Sequence, residues 1–268
     1  MKSNNEKRRR TPRRNAGSVR ENTKGGPEKP LRLQVFLAHS GIASRRTCEE
    51  YIADGLVTVN GRLVTEPGFK VEKDDHVVFR GRRVYPAKNL VYLALNKPPR
   101  YLSTSSDPQG RPLAIDLVRP AYELRLYTVG RLDFLSSGLL LLTNDGDFAQ
   151  AVSHPSSGIR KEYLVETKKE IPEEFLKDYL KGMVVEGERY KLTAYTLKGP
   201  RMALLVLEEG KNREIRKVFA ARGLYPQRVH RTKIGHLSVK GIDSGRFRAL
   251  SAKEVASFMK NRSQGKGG

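Results

Sequence analysis

The uninterrupted apolar runs of this chain are strand-sized, residues 138–142 and 202–207 being among the longest. Both fall far short of the roughly 18 residues that a membrane-spanning helix needs. A chain patterned this way must assemble its core from many short strands joined by irregular loops, with helices at the margins. That pattern predicts an α+β fold with a mostly antiparallel sheet. Charge then narrows the partners. The 268 residues hold 51 Lys+Arg against 29 Asp+Glu, a formal +22. Residues 1–30 supply +7 and residues 260–268 supply +3, so the body between them still carries +12. A basic body as well as basic ends favours a polyanion, nucleic acid foremost. Anionic membrane is the other polyanion, but nothing anchors the chain to one. The first 30 residues lack the apolar centre of a secretory signal. The single cysteine, Cys48, excludes an internal disulfide and a Cys-rich metal site. A cytoplasmic protein is expected.

Residues 1–30 are polar, Lys/Arg-rich and almost without large apolar side chains, so a disordered basic tail is expected there, and a second one over 261–268. The first tail is either a phosphate-binding arm or a solubilising one. A small domain is expected over 31–80. Leu33, Phe36 and Leu37 share a helical face, Ser44 is placed to cap a second helix over 45–54, and Gly55 ends it. Asn60-Gly61 between two short apolar runs predicts a type I′ hairpin. Residues 81–89, basic and containing Pro86, are expected to be a linker. The rest, 90–260, forms the larger domain. Its strands are expected over 90–95, 128–130, 139–143, 162–166, 191–196 and 202–208 and at Val239. Helices are expected over 147–153, 173–181, 213–222 and 252–260, the last signed by the capping box of Ser251 and Glu254.

No phosphate-binding loop, dinucleotide fingerprint or nucleophile elbow occurs, and the five histidines lack metal-ligand spacing, so no cofactor and no metal are expected. One acid stands out by its setting. In Tyr127-Thr128-Val129-Gly130-Arg131-Leu132-Asp133, a short β run breaks at glycine and delivers an aspartate just after an arginine. Asp133 is either a loop residue closing an Asx-turn or a carboxylate held at a cleft floor by a basic partner, available as nucleophile or base. Asp145 and Asp147 read as turn and helix-start residues. The second feature is a charge block. Residues 211–233 hold eight Lys and Arg with only Glu214 opposing. Arg213, Arg216 and Lys217 fall three and four apart, and Arg228 and Arg231 follow. The block is either a solvated face or a ridge that tracks a phosphate backbone. Tyr163, near a strand start, is by default a strand residue, and beside a nucleic-acid cleft its ring is able to stack on an extruded base.

Several stretches carry a family likeness. They are Leu33-Gln34-Val35-Phe36-Leu37-Ala38-His39-Ser40-Gly41-Ile42-Ala43-Ser44-Arg45-Arg46 with Gly55-Leu56-Val57-Thr58-Val59-Asn60-Gly61, Asn96-Lys97-Pro98-Pro99, Gly130-Arg131-Leu132-Asp133, Lys161-Glu162-Tyr163-Leu164-Val165 and Gly210-Lys211-Asn212-Arg213-Glu214-Ile215-Arg216. Over residues 31–260 the chain resembles the RsuA/RluB-type ribosomal-RNA pseudouridine synthases. That resemblance implies a small S4-type αα/β RNA-binding domain followed by a mixed α/β, mostly antiparallel catalytic domain. It implies an isomerase acting on ribosomal RNA or a ribosome-assembly intermediate, with large-subunit RNA the favoured target, working as a monomer without metal, ATP or organic cofactor. Asp133 looks like the catalytic aspartate, Tyr163 like the tyrosine packed on the target base, and Arg216 like the basic partner of the acid. Arg131 looks like the arginine that keeps the nucleotide flipped out. Arg45 and Arg46 fall where the S4-type module meets RNA. With them Arg213, Lys217, Arg228 and Arg231 complete the expected RNA-binding set. Phe134-Leu135-Ser136 departs from the family pattern, which bears on target choice rather than on activity. The competing class is a non-catalytic S4-type RNA-binding or ribosome-assembly factor, for which so large a second domain has no use.

Overall fold

The computed structural model describes residues 30–122 and 124–264. Of the tails expected over 1–30 and 261–268, residues 1–29 and 265–268 lie outside the described residues.

Strand β1 (Leu31–Arg32) runs straight into helix α1 (Leu33–His39), which buries Leu33, Phe36 and Leu37 as their spacing predicts. Ser44 caps α2 (Arg45–Ala53), its Oγ accepting from the Thr47 N–H at 3.1 Å. Between β2 (Val57–Val59) and β3 (Arg62–Leu63), Asn60 and Gly61 both have positive φ, 51° and 79°, which is what a type I′ turn requires. Strand β4 (Lys70–Val71) pairs with β1, and β5 (Val77–Phe79) pairs with β2. Strand β6 (Arg82–Arg83) pairs with β5, so the sheet runs on into the segment expected to be linker. Leu33, Phe36, Leu37, Cys48, Ile52 and five valines form a small core of their own.

The larger unit is built on β7 (Tyr92–Lys97), β8 (Tyr127–Val129), β9 (Ser137–Thr143), α3 (Gly146–Ser153), β10 (Lys161–Thr167) and α4 (Glu173–Lys181). The hairpin β11 (Met183–Val185) and β12 (Glu188–Tyr190) follows, then β13 (Ala194–Gly199), β14 (Met202–Leu207) and α5 (Glu214–Ala220). The chain ends on β15 (Pro226–Ile234), β16 (Leu237–Ser238), β17 (Phe247–Ala249) and α6 (Ala252–Gln264). The sheet order is β13-β14-β10-β15-β9-β7-β17, with β8 paired to β9 and β16 to β15. Every pairing is antiparallel except β15 with β9.

The leucine run is explained by that central place. Leu139 and Leu141 pack with Phe148, Val152 and Phe258 on one face, while Leu140 and Leu142 pack with Leu93, Leu95 and Val165 on the other. A strand covered on both faces needs no polar alternation. Gly138 is dictated by the parallel neighbour. At φ +106°, a Cβ there would fall on the Arg231 carbonyl and lie 2.6 Å from its N.

Some expectations shift. The largest miss is β15, which lies inside the charge block. Its buried residues are Val229, Arg231 and Ile234, and a buried arginine interrupts the apolar pattern that marks a strand. Val239 lies just past β16, β13 sits three residues later than its pattern suggested, and β17 is a strand with no apolar signal. Helix α5 spans only Glu214–Ala220, because Arg213 has a left-handed φ of 53°. Helix α6 starts on the expected box, with Ser251 and Glu254 exchanging hydrogen bonds, and continues through Gln264 into the segment expected to be a tail. No helix among the described residues is long and apolar enough to cross a membrane.

Candidate active site

The β8–β9 connection carries Asp133, and its backbone is held at every step. The Arg131 carbonyl accepts from Arg231 Nη1 (3.4 Å) and the Leu132 carbonyl from Ser103 Oγ (3.0 Å). The Asp133 carbonyl accepts from the Ser136 N–H (3.0 Å) and the Phe134 carbonyl from the Arg100 N–H (2.6 Å). The Leu135 carbonyl accepts from Arg216 Nη2 (3.3 Å) and the Ser136 carbonyl from Lys97 Nζ (2.7 Å). Six consecutive carbonyls are thus engaged, three of them by cations. A loop engaged at so many acceptors holds in place the backbone that carries Asp133.

Asp133 opens on a cleft whose walls include Arg131, Tyr163, Arg213, Glu214 and Arg216. Tyr163 is buried on β10 with its ring turned to the cleft and its hydroxyl accepting from Arg231 Nη1 at 3.4 Å. Arg216 lies on the first turns of α5. Burial lowers its pKa, and the nearby Asp133 charge opposes the fall. Its guanidinium donates to the Pro226 and Leu135 carbonyls and forms no direct ion pair with Asp133. The expected pairing is therefore a longer-range attraction, because the loop's own carbonyl occupies the fork. Lys97 is fully buried at the end of β7 and also donates to the Pro98 carbonyl. Burial pulls its ammonium down to about 8, with Asp133 opposing and Arg231 adding to the fall. The arrangement sets the Asp133 carboxylate among buried cations beside an aromatic wall. It suits chemistry that needs a fixed anionic group and a planar ring held against it.

Comparison with known proteins decides the family. Residues 91–221 match the RNA pseudouridylate synthase family, and residues 31–77 match the S4 domain family. An uncharacterized RNA pseudouridine synthase of Borreliella burgdorferi is 41% identical over 234 residues, 86% of this chain and 94% of that protein. The ribosomal large subunit pseudouridine synthase B of Bacillus subtilis is 38% identical over 230 residues, 84% of this chain and 93% of that protein. This chain belongs to the RNA pseudouridine synthases. A crystal structure of a pseudouridylate synthase superposes with a TM-score of 0.64 at 25% identity, over 85% of this chain and 99% of that one. The chain is accordingly an isomerase with an S4-type RNA-binding domain ahead of a mixed α/β synthase domain.

Within this pseudouridine synthase, the expected RNA-binding residues separate into four groups. Arg131 and Arg213 are exposed at the cleft, and Arg46 is exposed at the start of α2. Arg45 also starts α2, but its guanidinium and the His39 ring sit against α3. A Cβ on Gly146 would lie 2.9 Å from Arg45 Nη2 and 3.0 Å from His39 Nε2. Lys217 and Arg228 are paired to Glu186 (2.8 Å) and Glu166 (2.9 Å). Arg231 is 4% exposed and donates to the Leu139 carbonyl at 2.7 Å, so it braces the loop and cannot reach a phosphate. Asp145 is the N-cap of α3, accepting from the Asp147 and Phe148 N–H groups, as its reading predicts. Sequence reading gave no role to Lys97, Ser103 or Glu214. Lys97 had a visible signal, since it shares the inward parity of Leu93 and Leu95. Ser103 had none.

Proposed function

We propose that this enzyme converts one specific uridine of ribosomal RNA, in the large-subunit (23S) RNA, to pseudouridine, as a synthase of the RsuA/RluB type. The observation that carries the reading is the clamped loop, which fixes Asp133 beside Tyr163 at the cleft floor. The named activity of the Bacillus subtilis relative supports the large-subunit target. In this reading the reaction breaks the C–N glycosidic bond, turns the uracil and rejoins it through a ring carbon, so nothing leaves and no electrons are exchanged. The uridine is flipped from its stack, at a cost of a few kcal/mol. Asp133 presents its carboxylate to the nucleotide, Tyr163 packs against the base, and Arg216 supplies the compensating positive field. Arg131 and Arg213 hold the backbone at the cleft mouth, while Arg45 and Arg46 belong to the guiding module. Residues 31–80, with the edge strand Arg82–Arg83, bind, the remainder up to 89 joins and 90–260 react, in a cytoplasmic monomer.

Single-turnover conversion of uridine in an rRNA fragment tests the reading. Asp133→Asn keeps size and removes charge, so it is expected to fold, bind RNA and form no pseudouridine. Arg216→Ala is expected to be severely impaired. Asp145→Asn, which replaces one good helix cap by another, is expected to keep most activity. Near-wild-type turnover by folded Asp133→Asn would overturn the assignment. Nucleoside analysis of rRNA from cells lacking the protein identifies the modified uridine.

A further inference from the structure

The cleft wall contains a second acid. Glu214 is the first residue of α5, and its carboxylate is buried among the groups that line the cleft. Oε1 accepts from the Tyr179 hydroxyl at 3.1 Å, and Oε2 accepts from the Lys211 N–H at 3.1 Å. Tyr179 is fully buried on α4, so the carboxylate ties the turn over residues 210–213 to the interior of the domain. The same turn is held from outside. Lys211 Nζ donates to the Arg189 carbonyl at 2.8 Å, pairs with Glu188 at 3.3 Å and lies over the Tyr190 ring. The turn needs such holding, because Arg213 sits at φ 53°, a left-handed conformation that costs an arginine free energy. The turn ends on Arg213 at the cleft wall, and three residues on comes Arg216, whose guanidinium holds the Leu135 carbonyl of the Asp133 loop.

We propose that Glu214 is a positioning residue: its buried carboxylate sets the 210–213 turn and thereby places Arg213 and Arg216 against the Asp133 loop. The inference rests on the reading that Arg216 serves the reaction at Asp133. Glu214 does not touch that loop, and acts only through the arginines on either side of it, Arg213 and Arg216. The charged and titratable groups facing it are few. Lys211 and Glu209 lie on its own turn and Tyr179 on α4, with Tyr163 and Tyr190 next behind that hydroxyl. An ionised carboxylate accepts the Lys211 N–H more strongly than a protonated one does. Burial raises the Glu214 pKa to about 7, and the Tyr179 hydroxyl works against that rise. The grip on the turn therefore weakens as pH falls through neutrality.

The test is the pH profile of single-turnover rate at saturating rRNA fragment for the wild type, Glu214→Gln, Glu214→Ala and Tyr179→Phe. It is read beside amide hydrogen exchange of residues 210–216 in the free proteins. The wild type is expected to lose rate on the acid side of about pH 7. Glu214→Gln, whose amide oxygen still accepts the Lys211 N–H while its NH2 donates to the Tyr179 oxygen, mimics the protonated acid and is expected to give a flat profile at the wild-type acid level. Tyr179→Phe, by removing a donor to the carboxylate, is expected to move the acid limb to higher pH. Glu214→Ala is expected to lose at least about 30-fold in rate, with RNA affinity within about threefold, and to speed exchange across the turn. An unchanged acid limb in the Gln and Phe variants, or wild-type rate in a folded Ala variant, would overturn the proposal. Should the Ala variant fail to fold, the Gln and Phe profiles still decide. If the wild type left the fragment unconverted, the target reading would fall, and the exchange data, which need no RNA, would still test Glu214.

Discussion

Lys97 closes β7 at a position its neighbours Leu93 and Leu95 mark as inward, and an ammonium there loses its water entirely. Two carbonyls and the field of Asp133 offset part of that cost. Lys97→Met keeps the apolar stem and removes the charge. Because a buried cation adds little net stability, unfolding free energy is expected to stay within about 1 kcal/mol. Turnover should fall roughly 10- to 100-fold, since the Ser136 carbonyl loses its donor and the Asp133 loop its brace. Urea unfolding beside single-turnover kinetics separates the two effects. Gly138→Ala reverses the pattern. A methyl driven into the Arg231 backbone at a positive φ should cost about 2 kcal/mol or more, measured in the same urea transitions. Glu214 adds a pH dependence with a definite sign. Burial raises its carboxyl from 4.5 to about 7, so between those values the native state keeps a proton that the unfolded chain has released. Its contribution is full below about pH 4.5 and is lost as pH rises through about 7, a change on the order of 3 kcal/mol. Glu214→Gln cannot ionise, so its melting temperature should gain on the wild type between pH 5 and pH 8.

Elements were legible wherever burial is one-sided or complete. The run over 138–142 announces β9 because both faces are covered, and Ser44 and Ser251 announce their helices because a cap is a local contact. The Ser44 cap matters more than most, since the small core beneath α2 has little to spare. Ser44→Ala should cost about 1 kcal/mol, seen as faster amide exchange through α2 with the catalytic sheet unaffected. Strand β15 was hidden for the opposite reason. Its inward Arg231 answers to carbonyls on β9 and on the Asp133 loop, contacts roughly a hundred residues away in sequence. The charge block dissolves likewise. Of its eight cations, Lys211, Lys217, Arg222, Arg228 and Lys233 meet Glu188, Glu186, Asp178, Glu166 and Glu162. A window along the chain counted only Glu214 against them.

At the scale of the molecule, +22 still demands a polyanion, but the structure separates cations that already have partners from those that face solvent. Affinity for an rRNA fragment should fall steeply with salt, by about 0.7–0.9 log units per tenfold salt for each phosphate contact. Arg46→Ala and Arg213→Ala should each remove about one such contact, while Lys217→Ala and Arg228→Ala should leave the slope almost unchanged. Equal losses from all four would mean that the ion pairs open on RNA. Deleting residues 1–30 should flatten the slope and spare the saturated rate. By itself the sequence determined the S4-type module, the polyanionic partner and the pseudouridine synthase family, because hairpin chemistry, caps, charge and short motifs are written in neighbouring residues. Only the tertiary structure decided which arginines are free, what grips the Asp133 loop, and that Lys97 and Glu214 lie buried beside it. Those are matters of which side chains meet, and in this fold the partners come from strands and helices far apart in the chain.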